Sequence, residues 1–376
     1  MRKSLLKTTG FLYRNLLRQI LFLCDSEVIH EFMTSFGETL GRLKPAADTM
    51  KLLARFEDPM LEQNLLNIKF QNPVGLAAGF DYEARLTQIL SSIGFGFETV
   101  GTITNLPYEG NPSPMLGRLP KSKSLMVNKG FKNFGVKKTI RKLENFAFDI
   151  PVGISVGRSN NENCNTQKKS IEDIIKTFIL LEKSKVKHSY YELNISCPNL
   201  RGEVTFYPPK NLRELLHEVD GLHLKKPVLI KMPLEKSDNE ILGMINTITS
   251  YSPKGIILSN LSKNRKNKFL DPKEVSKFPD GVGSFSGKPT EERSNELIKL
   301  AYKNFGKSLL IVGCGGIFNA KDAYTKIKLG ASLVQLITGM IYEGPQLPAQ
   351  INSGLVELLK EDGLNNISEA IGTGNN

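Results

Sequence analysis

Residues 309–339 read LLIVGCGGIFNAKDAYTKIKLGASLVQLITG. The first apolar run in this segment, Leu309–Gly313, leads into the glycines 315 and 316, and the second, Ser332–Leu336, leads into Thr338 and Gly339. Between the two runs, Ala320–Leu329 has the apolar period of a helix that buries one face. A strand, a crossover helix and a second strand together predict parallel strand pairing.

The same alternation of apolar runs and helical segments extends back to residue 73. The predicted strands are Pro73–Ala77, Phe97–Thr102, Pro151–Val156, Tyr190–Ile195, Pro227–Lys231, Gly255–Leu258, Leu309–Gly313 and Ser332–Leu336. The predicted helices are Ala84–Ile93, Ile171–Glu182, Leu212–His217, Asn239–Ser250, Thr290–Asn304 and Ala320–Leu329. Eight parallel strands with crossover helices predict an α/β chain folded as a (β/α)8 TIM barrel.

Two features precede the barrel strands. Glu62–Leu65 and Ile68–Gln71 predict a hairpin that turns at Leu66-Asn67 and plugs the lower mouth of the barrel. Before the hairpin, the pattern is helical. The predicted domains are therefore an N-terminal helical extension, residues 1–55, and a barrel, residues 56–376.

The extension contains two amphipathic helical segments. Phe11–Leu23 is apolar apart from four polar residues gathered on one face, and it is too short and too polar to span a bilayer. A second helix begins at an Asp25 or Ser26 cap and is expected to stop at Gly41. Periodicity alone favours packing of this pair on the barrel, and the alternative is a pair lying on a membrane surface.

Length and composition narrow the function classes. The 376 residues carry a net charge of 50 − 38 = +12, and a positive charge of this size suits nucleic acid, an anionic membrane surface or small anionic ligands. The basic runs Lys137–Lys142 and Lys263–Lys268 lack the motifs of nucleic-acid binding and are interpreted as solvated faces. Four cysteines without a C-x-x-C pair predict neither a disulfide scaffold nor a zinc site.

Polar and glycine residues gather at the ends of the predicted strands, where a TIM barrel places its chemistry. Small residues at Gly75–Gly79 would let a flat ligand approach the backbone. Lys231 ends an otherwise apolar strand and needs a partner for its charge. Glycine-rich turns after strands seven and eight predict a phosphate site, because their backbone N–H groups converge there.

These segments resemble the dihydroorotate dehydrogenase family, and in particular its membrane-associated, quinone-reducing class 2. The matching segments are Asn72–Asp81, Gly94–Thr102, Gly110–Pro112, Asn194–Asn199, Gly283–Pro289, Ile311–Ile317, Gly330–Gln335 and Gly344–Pro345. The resemblance implies FMN as the cofactor. The residues that it implies for FMN binding are Ala77, Ala78, Gly79, Thr102, Ser155, Asn194, Lys231, Ser259, Ser286, Gly287, Gly315, Gly316, Thr338 and Gly339.

The resemblance also implies a reaction, the oxidation of (S)-dihydroorotate to orotate in pyrimidine biosynthesis, with a quinone as electron acceptor. Cys197 stands at the position of the catalytic base, where class 2 normally has serine and class 1 has cysteine. Asn194, Asn199 and Asn260 stand at substrate-binding positions. A thiol serves as a base if its surroundings favour the thiolate.

Several positions depart from the family pattern. Tyr82 replaces a substrate-binding lysine, Val127 replaces a substrate-binding asparagine, and Leu261 replaces a threonine. Lys129 or Lys132 would restore the positive charge, and Asn128 would replace the amide only if its loop shifts. The alternative function is therefore an FMN oxidoreductase of the same family that acts on a different substrate.

His30 and Arg118 match family positions on the quinone side, between the extension and the flavin. Because of this match, we expect the extension to lie on a membrane surface. The prediction is a peripheral protein on the inner face of a cell or organelle membrane, otherwise cytoplasmic. The expected partners are dihydroorotate or a related small anion, a quinone and a membrane surface, without nucleic acid. A flavin-binding membrane protein without turnover is disfavoured by the presence of Cys197 and Lys231.

Overall fold

The strands form a closed barrel and two small sheets. A computed structural model of the chain describes residues 2–375. Residue 1 of the predicted extension and residue 376 of the predicted barrel lie outside this range. The strands are β1 (Gln63–Leu65), β2 (Ile68–Phe70), β3 (Val74–Leu76), β4 (Phe97–Ile103), β5 (Leu116–Leu119), β6 (Ser124–Val127), β7 (Val152–Val156), β8 (Tyr190–Asn194), β9 (Val228–Lys231), β10 (Gly255–Leu258), β11 (Ser284–Phe285), β12 (Leu310–Cys314) and β13 (Leu333–Leu336).

The barrel consists of eight parallel strands in the order β3-β4-β7-β8-β9-β10-β12-β13, and β13 pairs with β3 to close it. Each barrel strand lies within one or two residues of its predicted position. The structure therefore confirms the (β/α)8 TIM barrel. The reason the prediction succeeds is that these strands are buried on both faces and read as unbroken apolar runs.

The barrel interior changes character from bottom to top. Its lower layer is apolar and is built from Phe97, Tyr190, Leu229, Ile257, Val312 and Leu333. The β1–β2 hairpin covers this layer with Phe70, Leu65 and Ile68, and its turn residues Leu66 and Asn67 both have positive φ. The predicted plug is confirmed. The upper layer, towards the carboxyl ends of the strands, is polar and belongs to the site described below.

The helices are α1 (Arg2–Leu12), α2 (Arg18–Leu23), α3 (Ser26–Arg42), α4 (Lys44–Ala54), α5 (Val136–Leu143), α6 (Gln167–Glu182), α7 (Pro209–Asp220), α8 (Asp238–Ile248), α9 (Pro272–Val275), α10 (Glu291–Phe305), α11 (Ala320–Lys328), α12 (Thr338–Glu343) and α13 (Leu347–Glu361). Five of the six predicted barrel helices are confirmed as α6, α7, α8, α10 and α11.

The predicted helix at Ala84–Ile93 is wrong. Only Leu90–Ile93 is helical, as a single 3-10 turn that ends at Gly94. The Asp81 carboxylate accepts hydrogen bonds from the backbone N–H groups of Arg85 and Leu86, both at 2.7 Å, and Ala84 has a φ of 55°. A side chain that binds the local backbone in this way offers the chain a turn in place of a helix.

Two long segments between barrel strands contribute a second sheet. Strands β5 and β6 from residues 105–133 pair with each other, and β11 from residues 261–288 joins β6, all antiparallel. The hydrogen bond from Ser286 N to Leu125 O continues this pairing beside the barrel mouth. This three-stranded sheet therefore walls one side of the site.

The extension packs on the barrel with one face and exposes the other. Tyr13 Oη donates to Ile341 O at 2.8 Å, and Ser26 Oγ donates to Leu116 O at 2.6 Å. The outer face carries exposed apolar side chains, namely Phe11, Leu12, Leu16, Leu17, Ile20, Leu23, Val28, Phe32 and Phe36. Among residues 2–375 no helix is long and apolar enough to cross a membrane.

The helix bounds in the extension differ in part from the prediction. Helical structure begins at Arg2 rather than Phe11, a five-residue π-helical segment, Tyr13–Leu17, joins α1 to α2, and α4 was not predicted. The Asp25 cap is confirmed, because its carboxylate accepts from Glu27 N and Val28 N. Helix α3 continues through Gly41, where a Cβ would lie only 3.0 Å from Gln88 Cβ. Gly41 therefore serves close packing and does not stop the helix.

Candidate active site

A cavity lies at the carboxyl ends of the barrel strands, enclosed by the β5–β6–β11 sheet. Its wall contains nearly all the residues that the sequence singled out for cofactor and substrate. These are Ala77, Ala78, Gly79, Tyr82, Thr102, Val127, Asn194, Cys197, Asn199, Lys231, Ser259, Asn260, Leu261, Ser286, Gly287, Gly315, Gly316, Thr338 and Gly339. Closure of the barrel brings these residues together from strands far apart in the chain.

Lys231 is paired with the carboxylate of Glu192, as expected for a charged side chain in an apolar strand. Its ammonium lies 3.5 Å from Glu192 Oε1, and both side chains are buried. Burial is the largest influence and acts to lower the pKa of Lys231, but the Glu192 carboxylate together with smaller contributions from Cys314 and Cys197 outweighs it, so the pKa lies above its ordinary value. The lysine therefore stays charged in the cavity wall. Glu192 was missed by sequence reasoning, although a lone carboxylate in the apolar run Tyr190–Ile195 was a usable signal.

A chain of hydrogen bonds connects the predicted substrate residues to Glu192. Asn260 donates to Ser196 (2.8 Å), Ser196 to Asn194 (3.3 Å) and Asn194 to Thr102 (2.9 Å). Thr102 lies 2.9 Å from Ser155, and Ser155 donates to Glu192 at 3.0 Å. Since every group can donate in the same direction, towards the carboxylate, the chain holds the amides in fixed orientations.

Ser155 departs from the placement that the family resemblance implied. Its side chain is fully buried behind Thr102 and does not line the cavity. The short serine side chain ends at the Thr102 hydroxyl, 2.9 Å away, and does not reach past it. Ser155 therefore acts on the cavity through Thr102 rather than by direct contact.

The half of the cavity at the carboxyl ends of strands β3, β10, β12 and β13, hereafter the cofactor half, has features that suit a flat ring with a phosphate. A Cβ at Gly79 would point into the cavity, with Ile337 Cδ1 as the nearest atom at 3.9 Å, so only glycine leaves this space open. A Cβ at Gly339 would collide with the carbonyl oxygen of Ile317. Ser259 Oγ is buried without a hydrogen-bond partner among residues 2–375. An unpartnered hydroxyl beside glycine turns and Lys231 fits a polar, anionic ligand such as FMN.

Cys197 lies in the cavity wall as a protonated thiol. Burial raises the pKa of Cys197 to about 11, and a hydrogen bond from the backbone of Asn199 and the charges of Arg158 and Lys231 only partly oppose this. The protein groups around Cys197 therefore do not by themselves favour the thiolate that a catalytic base at this position needs. Deprotonation of Cys197 becomes easier only as pH rises or as a ligand changes the site.

The three predicted substrate amides already have protein partners. Asn199 donates to the backbone oxygen of Val127 at 2.9 Å and accepts from Ser284 Oγ at 3.0 Å. Asn260 accepts from the backbone N–H of Leu261 at 2.9 Å, in addition to its bond to Ser196. A carboxamide has two N–H donors, so each residue keeps one N–H for a ligand. They are held in place for binding but supply few bonds.

The positions that depart from the family lie together in the other half of the cavity, hereafter the substrate half. Tyr82 stacks on His30 with ring centroids 5.2 Å apart, and its hydroxyl donates to Glu31 at 2.9 Å. Val127 and Leu261 add apolar surface. Asn128 bonds to Asn111 and Pro112 outside the cavity, so the loop shift that would have made it a substitute has not occurred.

A mostly apolar tunnel leads from the cavity to the extension, and the two share His30, Phe80, Leu116, Leu125 and Ile341. Burial lowers the pKa of His30 to about 3, with a further contribution from Lys129, so the imidazole is neutral. Arg118 lines the tunnel, donates to the carbonyls of Leu21 and Cys24, and lies 4.8 Å from the ring of Phe22. The sequence-predicted quinone residues thus lie on one passage.

Comparison with known proteins gives the family. The family model described as dihydroorotate dehydrogenase matches residues 60–359. The dihydroorotate dehydrogenase (quinone) of Trichodesmium erythraeum is 35% identical over 97% of this chain and 99% of its own length. That of Christiangramia forsetii is 33% identical over 92% and 99%.

Solved structures agree with these sequence relatives. The crystal structure of the Eimeria tenella enzyme in complex with ferulenol has a TM-score of 0.80 at 25% identity, and covers 93% of this chain and 95% of that one. The chain therefore belongs to the dihydroorotate dehydrogenase family, in its quinone-dependent class 2, and is an oxidoreductase of that family.

Proposed function

We propose that the protein oxidises (S)-dihydroorotate to orotate, with FMN as cofactor and a quinone as electron acceptor. The observation that carries the proposal is the continuity of one cavity, which joins Cys197, Lys231 and the glycine turns to the tunnel at His30. A substrate site and an acceptor passage that meet at one cofactor position suit a reaction in which electrons enter on one side and leave on the other.

Bound FMN would supply the acceptor for the electron pair removed from the substrate. The glycine turns near Gly315 and Gly339 would hold its phosphate, and Lys231 would place a positive charge beside its ring. Cys197 would remove the substrate proton as the thiolate, which requires loss of the thiol proton first. The fixed amides Asn194 and Asn260 would orient the substrate ring through their remaining N–H groups.

The extension would supply quinone access from a membrane. Residues of α2 and α3, among them Phe22, Ile29 and Met33, line the tunnel, while other residues of the extension form an exposed apolar face. Such a face suits insertion into the headgroup region of a bilayer. In this proposal residues 1–55 form the quinone-side extension and residues 56–376 the FMN barrel, and the protein is peripheral on the inner face of its membrane.

A second candidate function is oxidation of a different small anion by the same cofactor and acceptor. The specific observation in its favour is the substrate half, where Tyr82, Val127 and Leu261 replace polar ligands with an aromatic ring and apolar surface. Loss of each such bond costs on the order of 1–3 kcal/mol of binding. The two candidates therefore share every step except substrate recognition.

Anaerobic addition of L-dihydroorotate to the purified yellow holoenzyme tests the proposal. Loss of the oxidised-flavin absorbance is the expected result. An unchanged spectrum, with bleaching by dithionite intact, would favour the second candidate. A protein that neither contains FMN nor can be reconstituted with it would rule out both.

A further inference from the structure

Lys129 is a buried lysine in the substrate half that the proposed reaction has not used. It follows strand β6, and its side chain is only 11% exposed. Lys129 lines the cavity together with Tyr82, Cys197 and Asn199. Along an extended segment, side chains alternate between faces, so Val127 and Lys129 share the cavity side while Asn128 points to Pro112.

The charge of Lys129 is poorly neutralised by the protein. The nearest carboxylate oxygen, Glu27 Oε2, is 3.8 Å from its Nζ, and the other oxygen of Glu27 accepts from Met115 N at 3.0 Å. The Tyr82 hydroxyl is 3.5 Å away and donates its own proton to Glu31. Burial acts to lower the pKa of Lys129 more strongly than Glu27 raises it. A buried ammonium with distant partners is costly unless a ligand supplies the missing bond.

Lys132, the other lysine beside Tyr82, differs in these respects. It is 22% exposed and pairs with Glu31 at 3.5 Å. The second oxygen of Glu31 lies 3.0 Å from Arg85, so Lys132, which also lines the cavity, already belongs to a network of opposite charges. Of the two lysines, Lys129 is therefore the one with spare bonding capacity towards the cavity.

We propose that Lys129 is the cation that binds the carboxylate of the substrate. This inference rests on the proposed function and deepens it, since it requires the substrate to be a small ring compound that carries a carboxylate. Tyr82 positions the lysine, because the tyrosine oxygen can accept from Lys129 while its proton is held by Glu31. The carboxylate would take the place of water at the third N–H of the ammonium.

The test is an equilibrium titration of the oxidised holoenzyme, followed by the flavin absorbance. The ligands are orotate, uracil, which lacks the carboxylate, and benzoate, which has a carboxylate on another ring. The variants are Lys129→Met, Lys129→Gln and the matched control Lys132→Met. We expect both Lys129 variants to weaken orotate binding by roughly 10- to 100-fold. Lys132→Met should change it by less than about threefold, and FMN content should stay constant throughout.

The preference for orotate over uracil separates a charge effect from a general disturbance of the site. It should collapse in Lys129→Met and persist in Lys132→Met. Another outcome is a wild type that binds benzoate but not orotate, and that loses benzoate binding in Lys129→Met. That result would contradict dihydroorotate as the substrate and support Lys129 as the residue that binds a carboxylate. Equal orotate affinity in wild type and Lys129→Met would overturn the inference. A wild type that binds no carboxylate would overturn it as well.

Discussion

The cofactor half and the substrate half of the cavity differ in whether backbone or side chains form the wall. In the cofactor half, Gly79 leaves space that a Cβ would fill, Gly339 allows a close approach to the Ile317 carbonyl, and strands β12 and β13 lead directly into the glycine turns. In the substrate half, side chains rather than the backbone form the wall, and three of them differ from the family pattern. A site made of backbone changes little in sequence, whereas a site made of side chains can change its ligand by substitution.

The two halves also differ in how closely the charge of their buried lysine is paired. Lys231 in the cofactor half is paired with Glu192, and both side chains are buried. Lys129 in the substrate half has a carboxylate oxygen at 3.8 Å, the Tyr82 hydroxyl at 3.5 Å and the Tyr82 ring at 5.2 Å. The comparison predicts that substitutions in the cofactor half alter flavin retention, and that those in the substrate half alter only the ligand.

The largest expected effect is at Cys197, where the halves meet. Cys197→Ala should slow flavin reduction by dihydroorotate by about 10²- to 10⁴-fold and leave FMN bound, because a general base contributes an effect of this size. With the pKa of Cys197 raised to about 11, the wild-type rate should increase about tenfold per pH unit below that value. Stopped-flow absorbance from pH 6 to 10 measures both, and a wild-type rate in the alanine variant would refute the assignment.

The next effect concerns acid stability in the substrate half. Because the pKa of His30 is lowered to about 3 in the folded protein, the unfolded state binds more protons between pH 6.5 and 3. Stability should therefore fall as pH decreases through this window, by at most about 1.4 kcal/mol per pH unit from this group. Urea unfolding from pH 4 to 7 should show a weaker dependence in His30→Gln than in the wild type.

The barrel wall behind the cofactor half should respond in the alkaline range instead, through Lys326 of helix α11, which lies outside the cavity and donates to Ser294 and Asn295 of helix α10 at 2.8 Å. Burial lowers the pKa of Lys326, which lies beside Gly313 under strand β12, to about 8. The unfolded state then binds more protons between pH 8 and 10.5, so this lysine makes stability rise with pH there. His30→Gln should leave that alkaline limb unchanged, and a parallel change in both limbs would contradict the separation of the halves.

A smaller effect is expected when a family residue is restored. Val127→Asn places an amide in the substrate half, and one added hydrogen bond should tighten orotate binding by about tenfold. FMN affinity should stay constant. Titration of the oxidised holoenzyme measures the first and equilibrium dialysis the second. Unchanged orotate affinity would indicate that the ligand lies away from residue 127.

The smallest effect is predicted at Ser259. Its hydroxyl has no hydrogen-bond partner among residues 2–375, so Ser259→Ala should leave the melting temperature of the apoprotein unchanged. If FMN satisfies this hydroxyl, the variant should bind FMN roughly two- to tenfold more weakly. Ser155→Ala offers a contrast, because Ser155 already bonds to Glu192 and Thr102 and its loss should lower the melting temperature.

Much of the fold was predictable because its signals are local. The eight strands are continuous apolar runs, and the hairpin turn carries Asn67 at a positive φ. The parts of the fold that the sequence did not predict correctly also have physical causes. The Ala84–Ile93 segment has a helical apolar period, but Asp81 binds its backbone from outside the segment. The β5–β6–β11 sheet pairs strands more than 150 residues apart, and periodicity within each short strand does not specify that pairing.

The sequence by itself determined the barrel, the glycine turns, the need of Lys231 for a partner and the substitutions at positions 82 and 127. These follow from the residue types and their order along the chain. Only the tertiary structure decided that the partner is Glu192, that Lys129 rather than Lys132 is left with a weakly balanced charge, and that Cys197 is a thiol. Each of these depends on distances and on burial, and both are set by chain closure between residues remote in sequence.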